Sequence, residues 1–302
     1  MITRNIESFF SFARTLTPDQ PATARAAFLV SPVGFHRAEQ SAQDNIYMAD
    51  AGSFDADLAL HQHLDLQAQL SRSLPVMSFA GQPSAPDGVF PNNAFGTVEG
   101  RLIVGRMRHP VRQQEAARKD IRGLFRDVLS YECVDLSMQA HPCELTGAMV
   151  IDRARGLGYI GLSERCDERG AQLMHEAFGL RASLMFDLAP GEYHTNVVFA
   201  VLAGRAAVVC PNGFADSDVV DAIAAFYGTN TVRCTADEHA NFVGNCIALS
   251  GDTVWMSARA AHALEPSHKQ TLAHAGFDVA SVNLSAIEAA GGSLRCCVAE
   301  IF

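Results

Sequence analysis

Residues 143–188 read CELTGAMVIDRARGLGYIGLSERCDERGAQLMHEAFGLRASLMFDL and contain one complete structural unit. The apolar run AMVI is followed by a turn at Gly156 and by a second apolar run, which predicts a hairpin of two strands. Apolar residues then recur at three- and four-residue steps over 167–179, which predicts a helix that ends at Gly179. The run SLMFDL follows as a third strand. The segment therefore predicts a strand–strand–helix–strand unit.

The same unit recurs on both sides of this segment, which indicates an internal repeat. The other glycine turns with their second strands are GRLIVGRM from Gly100, GRAAVVCP from Gly204 and GDTVWMS from Gly251. Segments with helical periodicity follow at 111–129, 217–228 and 258–276, and each leads into a short strand: ECVDLS, TVRCT or FDVASVNL. Pro266 lies inside the last of these segments and predicts an interruption there, because proline lacks a backbone N–H.

A fifth copy of the unit is divided between the two ends of the chain. Its first strand is LRCCVAEIF (294–302), its second is AAFLVSPV (26–33), and a helix near 54–72 and the strand LPVMSF (74–79) complete it. A ring closed in this way leaves no open sheet edges. We therefore predict an α/β fold, a five-bladed α/β propeller in one domain over residues 26–302. Residues 1–25 are expected to form a surface segment or an early helix.

Each predicted first strand begins with a polar or reactive residue. These residues are Asn93, Glu144, His194, Asn245 and Cys296, and they are separated by 51, 50, 51 and 51 positions. If the five units are equivalent, these positions are equivalent too. Because the innermost strands of a propeller converge on its axis, we expect the five side chains to meet around one channel.

A thiol, an imidazole and a carboxylate together indicate covalent catalysis. Cys296 is the predicted nucleophile, and strand alternation assigns Cys297 to the opposite face as a packed thiol. His194 would carry protons, and Glu144 would orient His194 and bind substrate nitrogens. Asn196 follows His194 by two positions, so both side chains should share one face of the strand.

The composition narrows the classes of partner. The net charge is −10, with 33 acidic and 23 basic residues, which argues against nucleic acid or an anionic membrane as the main partner. The eight cysteines show no CxxC and no zinc spacing, so we expect neither metal nor cofactor, and a reducing cytoplasm is the natural compartment. No apolar stretch is long enough to cross a membrane. The expected partner is a small amino-acid substrate; whether the chain forms a homo-oligomer is left open.

Four short motifs resemble those of the guanidino-group modifying, or pentein, superfamily. They are Phe90-Pro91-Asn92-Asn93, Glu144-Leu145-Thr146-Gly147, His194-Thr195-Asn196 and the run Gly291-Gly292-Ser293-Leu294-Arg295-Cys296. The superfamily includes arginine deiminase, agmatine deiminase, dimethylargininase and glycine amidinotransferase. The resemblance covers residues 26–302, and it implies the propeller fold and hydrolysis of a carbon–nitrogen bond.

The chain is most similar to the hydrolase branch associated with citrulline use. The shared features are Leu162 to Arg165, Gly244-Asn245 and the chain end RCCVAEIF. This resemblance also implies that Asn45 contacts substrate, beside Asn93, Asn196 and Asn245. Leu145 stands where the branch has a glycine; if the backbone approaches the ligand there, the leucine side chain would narrow the pocket or alter the choice of substrate.

Asparagine replaces aspartate at two positions that grip a guanidinium in the deiminases, Asn93 and Asn196. A buried guanidinium without a carboxylate partner is costly, so a neutral ureido group fits better. The sequence thus predicts hydrolysis of citrulline to ornithine, carbon dioxide and ammonia. The alternatives are an arginine deiminase, dihydrolase or dimethylargininase, an amidinotransferase, and a non-catalytic binding module. Candidates for binding the substrate's α-carboxylate are Arg101, Arg106, Arg153, Arg165 and Arg259.

Overall fold

Short strands alternate with short helices along residues 1–302 in the computed structural model. The strands are β1 (Ile2–Thr3), β2 (Ala26–Val30), β3 (Val76–Phe79), β4 (Phe95–Val98), β5 (Arg101–Val104), β6 (Glu132–Asp135), β7 (Met149–Asp152), β8 (Leu157–Leu162), β9 (Ala182–Asp187), β10 (Phe199–Leu202), β11 (Ala206–Val209), β12 (Thr231–Arg233), β13 (Ile247–Ala248), β14 (Thr253–Ser257), β15 (Asp278–Val282) and β16 (Ala299–Ile301).

The helices have between four and fifteen residues. They are α1 (Ile6–Ala13), α2 (Ala56–Leu70), α3 (Pro110–Ala116), α4 (Lys119–Gly123), α5 (Leu145–Ala148), α6 (Glu168–Ala177), α7 (Thr195–Val198), α8 (Ser217–Tyr227), α9 (Ala236–Ala240), α10 (Ala258–Ala263), α11 (Pro266–His274) and α12 (Leu294–Cys297). None of them combines the length and the apolar character that crossing a lipid bilayer requires.

The strands form five separate sheets that share one connectivity. Their orders are β16-β2-β3, β4-β5-β6, β7-β8-β9, β10-β11-β12 and β13-β14-β15, with β1 added outside β9. In each sheet the first two strands are antiparallel and the second and third are parallel. A parallel pair needs a long crossover, and the helices between the second and third strands provide it. The predicted strand–strand–helix–strand unit is therefore confirmed.

The sheet divided between the chain ends is also confirmed. In β16, Ala299 pairs antiparallel with Phe28 of β2, and Phe28 in turn pairs parallel with Met77 of β3. The last strand of the chain thus lies beside the second strand of the first sheet. This pairing joins the two ends of the repeat array.

Two predicted helices are broken in the structure. Pro266 opens α11 after α10 has ended, as expected from its missing N–H. The segment 111–129 forms α3, α4 and a π-helical turn over Leu124–Val128. Between α3 and α4, Arg118 leaves the helical conformation (φ −58°, ψ 105°), and its buried guanidinium binds Ala80 O and Asp120.

The N-terminal segment contains the expected early helix, α1, but it is not confined to the surface. Strand β1 pairs parallel with β9, and Phe9 and Phe10 of α1 are buried in the largest hydrophobic cluster. Phe9 packs edge-on against Tyr159, with 5.4 Å between the ring centroids. The short apolar run of α1 is therefore part of the core, because its aromatic face is covered by the third sheet.

The five equally spaced residues lie in turns before the inner strands, and not in the strands themselves. Glu144 and His194 precede the single helical turns α5 and α7, Cys296 lies within α12, and Asn93 ends a 3-10 turn. Strand alternation was therefore the wrong basis for the expectations about Cys297 and Asn196, because both residues lie in helical turns. A helical turn, with its 3.6-residue period, replaces the two-residue period of a strand.

Candidate active site

Cys296 lies in the wall of a small enclosed cavity of about 10 Å³, which is room for about one water molecule. The other residues that line it are Ser41, Asn45, Asp87, Phe90, Asn93, Arg112, Arg165, Tyr193 and Ala290. Of the residues predicted as candidates, the cavity therefore collects Cys296, Asn45, Asn93 and Arg165. Asn196 and Asn245 contact the sulfur of Cys296 from behind the wall, and Glu144 contacts the lining residues Arg112 and Arg165.

The sulfur of Cys296 is held between two asparagine side chains. It accepts a hydrogen bond from Asn245 Nδ2 at 3.2 Å and donates to Asn196 Oδ1 at 3.6 Å. Burial raises the pKa of this thiol, so the group is neutral in the closed site. Cys297 lies against Ser293 O and away from the cavity, and burial raises its pKa further.

His194 and Glu144 form a second, fully buried pair. His194 Nε2 lies 2.8 Å from Glu144 Oε2, and His194 Nδ1 has no hydrogen-bond partner. A carboxylate only accepts hydrogen bonds, so the neutral imidazole donates from Nε2 and keeps a free lone pair on Nδ1. Burial lowers the pKa of His194, and its hydrogen bond to Glu144 only partly offsets this.

Gly147 brings the imidazole close to the cavity wall. A Cβ atom at this position would lie 2.8 Å from His194 Cε1 and 2.5 Å from the side-chain amide of Asn93. Any larger residue would push the two side chains apart. The glycine of the ELTG motif therefore allows both the His194 ring and Asn93, which lines the cavity beside Cys296, to lie against the backbone at this point.

Glu144 is surrounded by cations. Its Oε2 lies 3.2 Å from Arg112 Nη1 and 3.3 Å from Arg165 Nη1, and its Oε1 accepts from the backbone N–H of Arg108 at 2.9 Å. Burial raises the pKa of this carboxyl group, but Arg165, the hydrogen bond to His194 and Arg112 outweigh burial and hold the pKa well below its usual range. The group is therefore an ionised carboxylate.

Arg112 also lines the cavity, and it was not among the residues predicted from the sequence. Its guanidinium forms two hydrogen bonds of 2.9 Å to Glu115, three positions later in α3. With the amide of Asn93 oriented to satisfy its neighbours, the Asn93 oxygen accepts from Arg112 at 3.1 Å. A helical Arg–Glu pair at this spacing is usually solvated, so no local signal marked this one as buried.

Asp87 is the other residue that sequence reasoning missed. The residue is 3% exposed, its Oδ2 accepts from the Ser41 hydroxyl, and its Oδ1 has no partner. A buried acceptor without a donor is costly, which suggests that a ligand supplies one. The only signal in the sequence was the position of Asp87 six residues before Asn93.

The residues 34–50 form a loop that closes the cavity. Ser41 and Asn45 line the space, and Asp44 forms an ion pair with Arg165, whose Nε lies 2.9 Å from Asp44 Oδ2. Tyr47 donates to Glu192 Oε1 at 2.6 Å. These contacts hold the loop down over the thiol.

The other arginine candidates lie elsewhere. Arg106 donates to Ser137 O, and Arg259 donates to Asn241 and Ala240 O. Arg101 and Arg153 line a different cavity. Only Arg165 of the predicted set faces Cys296.

Leu145 does not narrow the pocket. It is fully buried, and its side chain packs against Gly96 and Gly105. Its φ of +28° is a strained value for a residue with a Cβ. The glycine usual at this position in the branch is thus replaced by a core side chain that points away from the cavity.

No group of three or more His, Cys, Asp or Glu side chains is arranged to hold a metal ion.

Comparison with known proteins identifies similar chains. Residues 31–302 match a family model described as N,N dimethylarginine dimethylhydrolase, eukaryotic. YkgA of Bacillus subtilis strain 168, an uncharacterized protein, is 24% identical over 257 residues, which cover 84% of this chain and 81% of YkgA.

Solved structures share the α/β fold. The substrate-bound N-terminal domain of ArgZ, an arginine dihydrolase of the ornithine–ammonia cycle in cyanobacteria, superposes with a TM-score of 0.80 at 19% identity, covering 91% of this chain and 97% of that domain. A dimethylarginine dimethylaminohydrolase bound to S-methyl-L-thiocitrulline superposes with a TM-score of 0.68 at 17% identity, covering 92% of this chain and 99% of that one.

Proposed function

The chain belongs to the N,N dimethylarginine dimethylhydrolase family of guanidino-modifying hydrolases, and on that premise we propose that it hydrolyses a terminal C–N bond of an amino acid whose side chain ends in a guanidino group. Arginine and N-methylated arginines are the substrates of this class. One observation carries the proposal: Cys296 lines the same cavity as Asp87, a buried carboxylate with a free oxygen.

Asp87 favours a cationic substrate group over a neutral one. The prediction of a neutral ureido substrate assumed that no free carboxylate would face the ligand, since Asn93 and Asn196 replace aspartates. Asp87 supplies a buried carboxylate whose Oδ1 has no partner, while its Oδ2 lies 3.7 Å from Arg112 Nε. A substrate guanidinium that donates to Oδ1 would give this oxygen its missing donor and would itself gain a carboxylate partner. A charge-assisted bond of this kind is among the stronger hydrogen bonds.

Two buried arginines supply cationic groups to the cavity, and one of them, Arg112, places its Nε 3.7 Å from Asp87 Oδ2. Arg112 and Arg165 line the cavity, and both already interact with Glu144. A guanidinium presents five N–H groups in a planar fork that suits a carboxylate. We assign the substrate's α-carboxylate to these two residues, with Asn45 at the loop side of the cavity.

The chemistry proceeds in two stages. Cys296 Sγ attacks the central guanidinium carbon, the bond to a terminal nitrogen breaks, and the thiol proton passes through His194 Nδ1 to the departing amine. The carbon then remains bound to sulfur. Water attacks this intermediate, gives a proton to His194 Nδ1 and restores the thiol, leaving a ureido product. A cationic substrate beside the sulfur favours the thiolate, which offsets the raised pKa of Cys296.

A second candidate is hydrolysis of a ureido group, with citrulline as the substrate. The specific observation in its favour is that Asn196 Nδ2 is buried and has no acceptor. The carbonyl oxygen of a ureido group would accept this hydrogen bond, whereas a guanidinium has only donors. The same Cys296 attack would release ornithine, carbon dioxide and ammonia.

Substrate entry requires the loop of residues 34–50 to open. A cavity of about 10 Å³ holds a water molecule but not an amino acid. Asp44 and Tyr47 hold the loop through polar contacts, which can break and re-form at little net cost when water replaces them. We propose that this loop is the lid of the site.

We further propose that the five sheets are blades of a propeller around one axis, forming a single catalytic domain over residues 26–302. Side chains from four first strands, β7, β10, β13 and β16, line one narrow cavity of about 40 Å³.

All eight cysteines are free thiols, which supports the expected reducing cytoplasm.

A substrate panel tests the function. Arginine, dimethylated arginines and citrulline are each incubated with the enzyme, and ammonia, methylamines, citrulline and ornithine are measured. We expect guanidino turnover that Cys296→Ser abolishes and Asp87→Asn lowers at least 100-fold. Consumption of citrulline without consumption of any guanidino compound would instead establish the second candidate. Repeating the assay with added glycine identifies an amidinotransferase by its new product.

A further inference from the structure

A second cavity, of about 500 Å³, lies apart from the candidate active site and shares no lining residue with it. Its walls include Arg25, Glu99, Arg101, Arg153, Phe178 and Phe302. This volume is sufficient for a small organic ligand. Two of its residues, Arg101 and Arg153, were among the candidates for the substrate carboxylate.

The charge of this cavity is predominantly positive. Three arginines line it against one glutamate, Glu99. Glu99 lies 3.6 Å from Arg25, and both side chains are largely exposed, so this ion pair is weak. Arg101 and Arg153 form no ion pair, and Arg101 only donates to Ala177 O at 3.4 Å. In a chain with a net charge of −10, two unpaired arginines in one cavity need a reason.

Arg153 is the more constrained of the two. Its one hydrogen bond runs from Nη1 to Thr97 O at 3.0 Å. Its guanidinium lies 4.1 Å from the centroid of the Phe302 ring and 5.6 Å from that of Phe178. A guanidinium has five N–H groups, so most of its donors are left for a ligand while the ring stacks against its face.

The electrostatic surroundings also favour an anion. Burial lowers the pKa of Arg153 to about 10, Glu300 only partly offsets this, and the nearby cation Arg295 adds to the lowering. A negative charge beside Arg153 would stabilise its cationic form. The rings of Phe178 and Phe302 offer an apolar surface next to that charge.

We propose that this cavity binds a small oxyanion, a carboxylate or a phosphate, that carries an aromatic or other flat apolar group. The anion bridges Arg153 and Arg101, and the apolar group lies against Phe178. This site is separate from the substrate site, so the proposal does not depend on which C–N bond the enzyme cleaves.

Titration calorimetry with phenylacetate and with phenyl phosphate tests the proposal, and the two arms separate the carboxylate from the phosphate. We expect one-to-one binding of at least one of them, no binding of the neutral phenylacetamide, and no displacement by arginine. Arg153→Gln and Arg101→Gln should each weaken binding at least tenfold. Arg233→Gln, which removes an exposed arginine paired with Asp221, is the control and should leave the affinity unchanged.

The second variant keeps the test valid if Arg153→Gln folds poorly, because the Arg101 side chain makes a single hydrogen bond of 3.4 Å, to Ala177 O, and loses little when it is replaced. Thermal unfolding identifies such a case. Failure of both anions to bind, equal binding of phenylacetamide, or unchanged affinity in a folded Arg101→Gln protein would each overturn the proposal.

Discussion

His194 Nε2 lies 2.8 Å from Glu144 Oε2, in a pair that is fully buried. This bond sets the tautomer of the imidazole and leaves Nδ1 free on the side of Gly147 and Asn93. The same carboxylate also balances Arg112 and Arg165. One side chain thus orients the proposed proton carrier and neutralises the proposed carboxylate-binding residues.

Replacing Glu144 by glutamine should therefore damage both activity and stability. Two buried guanidinium groups lose their shared counterion, which should lower the free energy of unfolding by about 3 kcal/mol. Turnover should fall at least 100-fold, because the imidazole is no longer held in one tautomer. Urea denaturation and the substrate assay measure the two effects. Glu168→Gln is the control, since its ion pair with Arg4 is exposed, and both quantities should be unchanged there.

The two adjacent cysteines should behave differently. We expect Cys296→Ser to abolish turnover and Cys297→Ser to retain it. Because the pKa of Cys296 is raised above its ordinary value of 9.0, the rate of iodoacetamide labelling at Cys296 should rise with pH and not level off below pH 9. Mass spectrometry locates the label. A plateau near neutral pH would show that the resting thiol is already ionised.

Asp44 should control access to the thiol. It forms an ion pair with Arg165, and Asp44→Asn weakens the contact that holds the loop 34–50 closed. Labelling of Cys296 should become at least tenfold faster. Asp50→Asn, at an exposed position of the same loop, is the matched control. Equal labelling rates in the two variants would show that Asp44 does not hold the loop closed.

The same ion pair should make the stability of the fold depend on pH under acidic conditions. The pKa of Asp44 is lowered in the folded protein: burial raises it, but Arg165 and His109 together outweigh burial. The carboxylate therefore stabilises the fold fully above its unfolded pKa, and this contribution is lost as pH falls through the folded value. Denaturation at acidic pH should thus depend less steeply on pH in Asp44→Asn than in the unmodified protein.

Leu145 allows strain and packing to be separated. Leu145→Ala removes buried carbon atoms and keeps a Cβ at φ +28°. The free energy of unfolding should therefore fall by about 3 kcal/mol. Leu145→Gly loses the same contacts but relieves the strain, so it should be about 1 kcal/mol more stable than the alanine variant. Chemical denaturation measures the difference. Substrate preference should be unchanged in both, because the side chain does not face the cavity.

The first helix should be essential to the core. Phe9→Ala removes a fully buried ring that packs against Tyr159 and should cost about 3–5 kcal/mol. Phe12 lies in the same helix but is 37% exposed, so Phe12→Ala should cost about 1 kcal/mol or less. Thermal and urea unfolding compare the two. Equal effects would show that α1 is not part of the core.

The sequence by itself determined the repeating unit and the pairing of the chain ends. Turn glycines such as Gly156 and helix periodicity reflect interactions between near neighbours, and these are encoded locally. The constant spacing of Asn93, Glu144, His194, Asn245 and Cys296 follows from that repeat. Locally encoded features were therefore predicted well, apart from the turns that precede the inner strands.

Only the tertiary structure decided the charge of the cavity. Asp87 and Arg112 look like ordinary loop and helix residues, and their burial depends on elements that are distant in sequence. Leu145 and Phe9 likewise took their roles from the surfaces that cover them. Solvation and counterions depend on the whole fold, because a charge loses its water only when distant parts of the chain close over it.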